Sequence, residues 1–226
     1  MVKCHILTFN FFLLTRTIMA LWKARSLSPE QKVQIVEEDS EAKSLQTEES
    51  GSFLGLEDVS MSEVYSSALP VPTSFFMELF NGGELDRKAM ERAGCLNYSC
   101  SPWESERADV YERQIYYRFD KRVSRYRGEV TSTQQKSPLS DKNGWLIEEV
   151  MTLHGVPLGD YFNLHLRYQI EDLPSRSKGC QVRVFFGIAW LKSTRHQKRI
   201  AKNILLNLED RLKVTLGVIE KEYISR

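Results

Sequence analysis

The chain has 226 residues, of which 42% are hydrophobic and 27% charged, with a formal net charge of +1. That is ordinary globular composition, long enough for one full domain and an appendage, and it gives no ground to expect a nucleic-acid partner. The four cysteines, Cys4, Cys95, Cys100 and Cys180, are too few and too scattered for a disulfide framework or a zinc site.

Charge is uneven: residues 1–66 hold six Lys/Arg against ten Asp/Glu, and the rest holds 25 against 20, so an acidic leader precedes a mildly basic domain. Lys3 precedes an apolar run at 6–14, interrupted by Thr8 and Asn10. The run is too short and too broken for a transmembrane helix; it reads either as a signal-peptide core or as the remnant of an apolar strand from another domain. Ile18, Leu21 and Trp22 then recur at helical spacing beside Met19, so 16–25 reads as a helix with one apolar face, which favours the remnant. Residues 1–34 are therefore expected to be the end of a domain. Residues 37–58 carry eight acids against one base, Lys43, with few apolar residues before Phe53. Such a stretch buries too little surface to offset its ordering entropy, so 35–65 is expected to be a disordered acidic linker and 66–226 the folded domain.

Within that domain, 72–80 opens with proline and carries Phe75, Phe76, Leu79 and Phe80, which predicts a short helix ended by Asn81-Gly82-Gly83. A second helix is expected over 84–93, stopped at Gly94, and a strand at 95–100. Strict alternation follows. Tyr111, Ile115, Tyr117 and Phe119 share one face of 110–121; Trp145, Ile147, Met151 and Leu153 share one face of 144–153. Phe162, Leu164, Leu166, Tyr168 and Ile170 alternate with Asn163, His165, Arg167, Gln169 and Glu171, and Val182, Val184, Phe186, Ile188 and Trp190 behave alike. Each is a strand with one buried and one wet face. Residues 128–135 are β-branched but polar, a further strand. Turn chemistry at 140–144, 155–159 and 174–179 keeps the connections short, which predicts an antiparallel meander. Last, Ile200, Ile204, Leu208, Leu212 and Leu216 recur every four residues, predicting one long helix over 195–223.

The order is that of an α+β helix-grip fold: two short helices, a curved antiparallel sheet, and a long C-terminal helix across it. A bent sheet around one helix leaves a tunnel suited to a flat apolar ligand. Arg113 and Glu149 break otherwise apolar faces, so they are expected to point into that tunnel and to meet each other, water or a ligand hydroxyl. Tyr117, Phe162, Leu166, Tyr168, Val184, Phe186 and Ile188 are candidate lining residues, and Gln134 a candidate polar contact. Val156 and Leu158 in the glycine-bracketed loop, and the cations Lys192, Arg195, Lys198 and Arg199 near the last helix start, are candidates for contact with an anionic membrane. His5, His154, His165 and His196 lack ligand spacing, with His165 on a wet face, and no metal or other cofactor is expected.

Ser101-Pro102-Trp103, then Tyr111-x-Arg113-x-Ile115-x-Tyr117, then Gln134-Gln135 resemble the VASt domain, a StART-like lipid-transfer module, over about 68–226. Residues 17–32 resemble the terminal helix of a GRAM domain. The pairing is similar to the C-terminal part of plant proteins that combine C2 and GRAM domains, with no C2 domain present and only the last GRAM helix remaining. The resemblance implies a non-enzymatic, monomeric module that holds a sterol or other apolar lipid in the cytoplasm, peripherally associated with membranes. Two rivals stand beside it: an interaction or regulatory module with a vestigial, filled cavity, and an enzyme using Arg113, Glu149 and a tyrosine as an acid–base set.

Overall fold

The computed structural model describes residues 59–120, 128–139, 143–173 and 179–225. The expected N-terminal helix and nearly all of the acidic linker lie outside the described residues, as do parts of the turns at 140–144 and 174–179.

The first described element is a strand, β1 (Ser62–Leu69), which begins four residues before the predicted domain boundary. Half of its residues are exposed and only Leu69 is buried, because it is an edge strand. Pro72 then caps α1 (Thr73–Phe76), its carbonyl accepting from the Phe75 and Phe76 amides at 3.0 Å each. The predicted single helix tightens halfway into a 3₁₀ turn, Met77–Phe80. Gly82, at φ +73°, reverses the chain in a conformation that side chains other than glycine adopt at a cost. α2 (Glu84–Arg92) follows, with Glu84 and Asp86 in its first turn and Arg92 in its last, as the helix dipole favours.

Seven more strands follow: β2 (Cys95–Cys100), β3 (Glu104–Arg107), β4 (Val110–Phe119), β5 (Glu129–Pro138), β6 (Gly144–His154), β7 (Phe162–Asp172) and β8 (Cys180–Trp190). The sheet is antiparallel in the order β1-β8-β7-β6-β5-β4-β2, with β3 paired to β4. The meander was legible in the short connections; the return of β1 to the last strand was not. Gly144 starts β6 so close to β7 that an added Cβ would lie 2.1 Å from the Ile170 carbonyl oxygen.

The closing helix, α3 (Gln197–Ile224), has 28 residues and is about 42 Å long. Ile200, Ile204, Leu212, Leu216 and Ile219 are buried against the sheet. Its C-terminal end is tied down by Tyr223 against Phe75, ring centroids 5.1 Å apart, and by the ion pair of Glu222 with Lys88 on α2. The result is the helix-grip architecture.

The outer face of the sheet is not uniformly wet. His165 is buried, contrary to expectation, and so are Leu146 and Glu148. Part of the reason lies at Gly187, opposite His165 across β7 and β8. Val59, Ser60 and Met61 run against that glycine, on the side where its Cβ would be. Burial lowers the His165 imidazole pKa.

Candidate functional site

Between the sheet's inner face and α3 lies a cavity of about 160 Å³, on the order of ten times the space a single water needs on that measure. Cross-strand pairing arranges its floor in rows. The row nearest the loop at 155–159 is Tyr117, Val130 and Leu153; the next is Ile115, Ser132, Met151 and Leu164. The third is Arg113, Gln134, Glu149, Leu166 and Phe186. The hollow is thus apolar toward one end and polar in its third row. α2 supplies Asp86, Ala89 and Met90 to the wall; α3 supplies Ile204, Asn207, Leu208, Arg211, Leu212, Thr215 and Leu216.

The third row is a hydrogen-bonded chain. Arg113, whose side chain is 1% exposed, donates from Nε to Gln134 Oε1 at 2.8 Å and from Nη1 to Asp86 Oδ2 at 3.3 Å. Its guanidinium carbon lies 4.7 Å from the Trp103 ring centroid, and the Trp103 indole N–H donates to the Phe80 carbonyl at 2.7 Å. Asp86 also accepts from the Tyr98 hydroxyl and the Gly82 amide, both at 2.9 Å. Burial still pushes the Asp86 carboxyl above its usual range, outweighing Arg113 and these donors. The far end of Gln134 donates from Nε2 to Glu149 Oε2 at 2.8 Å, and the Ser132 hydroxyl donates to Glu149 Oε1 at 2.7 Å. Gln134 therefore joins Arg113 to Glu149; the two do not touch directly.

A second cation faces the hollow from above. Arg211 on α3 lines the hollow together with Tyr117, and its charge acts on the Tyr117 hydroxyl. Among the described residues no ion pair joins it to a carboxylate. The Cys95 thiol and the Tyr117 and Tyr168 hydroxyls are all raised above their ordinary pKa, by burial first, and each senses both the Arg211 and the Glu149 charge. Buried Asn207, one turn before Arg211, donates back to the Asn203 carbonyl at 2.6 Å.

Eight of the ten residues expected in the cavity line it: Arg113, Tyr117, Gln134, Glu149, Phe162, Leu166, Tyr168 and Phe186. Val184 and Ile188 do not. Val184 is fully buried in the core and Ile188 packs beside it. Two-residue periodicity sets which face a side chain occupies, not how far the void extends along or across the sheet. Asp86, Tyr98, Asn207 and Arg211 are lining residues that the sequence reading missed. Asn207, Arg211 and Thr215 interrupt the apolar stripe of α3 at four-residue spacing, a signal that was present; nothing local marks Asp86.

The membrane candidates gather at the apolar end of the fold. The Leu191 and Lys192 amides donate to the Tyr161 carbonyl at 2.8 and 3.2 Å, joining the loop after β6 to the segment before α3. Val156 and Leu158 are half-buried and pack on the core, with Leu158 at φ +63°. Lys192, Arg195, Lys198 and Arg199 are exposed. Lys192 pairs with Asp160 and lies over the Tyr161 ring, and Arg195 donates to His196. Leu191 beside them is 58% exposed.

Cys95, Cys100 and Cys180 are free thiols, and burial, with Asp172 nearby, pushes Cys180 up to about 12. Among the described residues no cluster of His, Cys, Asp or Glu could hold a metal ion, and no helix is long and apolar enough to cross a membrane.

The family model described as VAD1 Analog of StAR-related lipid transfer domain (VASt) matches residues 63–206. The chain is 73% identical over 226 residues to the C2 and GRAM domain-containing protein At1g03370 of Arabidopsis thaliana. That match covers 100% of this chain and 22% of the relative, so the chain spans about a fifth of the relative's length. Among solved structures, Ara h 8.0201 aligns with 71% of this chain and 97% of its own at 12% identity and a TM-score of 0.46. A START superfamily protein from Mycobacterium smegmatis aligns with 71% of this chain and 97% of its own at 11% identity and a TM-score of 0.40.

Proposed function

The chain belongs to the VASt family of StAR-related lipid-transfer domains, and from that premise we propose that it holds a sterol in the cavity beneath α3 and carries it between membranes. The observation behind this reading is the void itself: mainly apolar, lying between sheet and helix, with one polar row across it. A vestigial module would have filled that space with side chains.

Energetics favour carriage over storage. Taking a sterol-sized apolar surface out of water is worth on the order of 10 kcal/mol. A bilayer offers nearly the same gain, so exchange between bilayer and pocket is close to neutral. The exposed cations near the start of α3, with Leu191 among them, give the apolar end of the fold a surface suited to anionic headgroups.

An enzymatic reading has less support. Arg113 is committed to Asp86, Gln134 and the Trp103 face. The Tyr117 and Tyr168 hydroxyls, raised by burial, are poorly matched to acid–base work near neutral pH.

The test is lipid extraction from the purified full chain followed by mass spectrometry, with transfer of a fluorescent sterol between liposomes. Co-purified or exchangeable sterol is expected, and Thr215→Phe, which puts a ring into the hollow, should abolish loading without unfolding the chain. Recovery of no lipid, together with no sterol transfer, would overturn the reading.

A further inference from the structure

We propose that Lys136 and the three aromatic rings around it form a docking site for carboxylates, occupied by the chain's own acidic stretch at 37–58 through Glu48 and Glu49. The site is separate from the lipid cavity and does not depend on what that cavity carries.

Lys136 lies in the row beyond the polar one, paired with Tyr111 on β4 and Ile147 on β6. Its ammonium nitrogen stands 4.6 Å from the Trp103 ring centroid, 5.0 Å from that of Tyr111 and 5.5 Å from that of Trp145. All four residues are half-buried, so solvent still reaches the group. Among the described residues no carboxylate closes on this ammonium. Ring faces attract a cation but leave its three N–H donors without an acceptor. Arg113 lies over the same Trp103 ring at 4.7 Å, yet its charge is answered by Asp86. Lys136 is left as a partly desolvated cation without an anion; burial first, and then the Arg113 charge, lower its pKa. A carboxylate would relieve both effects.

The position of the site selects its occupant. The rows run from the loop at 155–159 through the polar row to Lys136, so the site lies at the end of the fold away from the membrane candidates. A lipid headgroup met by Val156, Leu158 and Lys192 is out of its reach; a polypeptide is not. Residues 37–58 carry eight acids against one base and lead directly into the domain. Val59 lies against Gly187 on β8, whose row continues through His165 and Val150 to Thr133 on β5, three residues from Lys136. Crossing three strand spacings, moving three residues along β5 and rounding the end of the sheet takes about 30 Å. About ten extended residues cover that path, which brings Glu49 and Glu48 to Lys136. Glu57 and Asp58 are too close to Val59 to arrive there.

The experiment is zero-length carbodiimide crosslinking of the full chain at low and high salt, read by peptide mass spectrometry on the monomer band. The ion pairs Lys88–Glu222 and Lys192–Asp160 serve as internal controls for amide formation. A Lys136 amide to Glu48 or Glu49 within one chain is expected, with a yield that falls several-fold at high salt, where screening weakens a half-exposed contact. Tryptophan emission of the unaltered chain should shift with salt as the acidic stretch leaves Trp103 and Trp145. A Glu48→Gln/Glu49→Gln double variant, which alters none of the described residues, should lose that shift. Control amides without a Lys136 amide would overturn the proposal, and so would an equal salt response of the two proteins. Lys136 joined only to carboxylates of another copy would make the site an interface between chains and overturn this occupant.

Discussion

Glu148 and Glu149 leave the same strand one peptide apart, and the fold treats them in opposite ways. Glu148 turns to the outer face, where Arg167 closes on it at 2.8 Å in a pair whose side chains are 2% and 11% exposed. Glu149 turns inward, where among the described residues the uncharged Ser132 and Gln134 hold it and no ion pair closes on it. A carboxylate with a closed ion pair is finished business, structurally; one held by neutral donors beside a void keeps capacity for something else. The same division separates Asp86–Arg113, closed, from Glu149 and Arg211, open.

The most severe way to break this arrangement is Arg113→Ala. It leaves Asp86 buried without its cation, and urea denaturation should show a loss of about 3–5 kcal/mol. Adding Asp86→Asn to that variant should recover part of the loss. Next is Glu148→Gln on the outer face, expected to cost about 2–3 kcal/mol, because Arg167 sits near enough to solvent to find water. Lipid affinity of the folded fraction should not change; a matching loss of sterol binding would erase the distinction between the two faces. Glu149→Gln should invert that result, with stability within about 1 kcal/mol of the unaltered chain and sterol binding several-fold weaker.

The smallest expected effect belongs to His165. Burial lowers its folded pKa below the ordinary 6.5, so below that pH the unfolded chain takes up a proton that the native imidazole resists. Its contribution is therefore present above pH 6.5 and is lost as pH falls through the lowered value. Unfolding free energies measured across that window should decline toward acid, and His165→Gln should flatten the decline.

Much of this was legible in advance. Alternation along 110–121, 144–153 and 160–172 put Arg113, Glu149 and Tyr168 on inward faces, because a strand sends every second side chain to the same side. The spacing along α3 marked its sheet-facing stripe for the same kind of reason. Lengths and turns forced an antiparallel meander under a single long helix.

Other features had no local signature. β1 reads as polar because it is an edge, and its pairing with β8 joins segments more than a hundred residues apart. Val184 and Ile188 satisfy every rule for a lining residue, yet the hollow stops short of them. Asp86 looks like any acid in a first helical turn until the fold sets it against Arg113, and Arg211 looks like a surface cation until α3 lies down over Tyr117.

Periodicity acts between neighbours along the chain, so the residues alone established faces, element order and the presence of charge on an inner surface. Which charges meet, and which stay apart with empty space between them, depends on the curvature of the sheet and the seating of α3. Those are set by packing among distant segments, and only the assembled fold decides them.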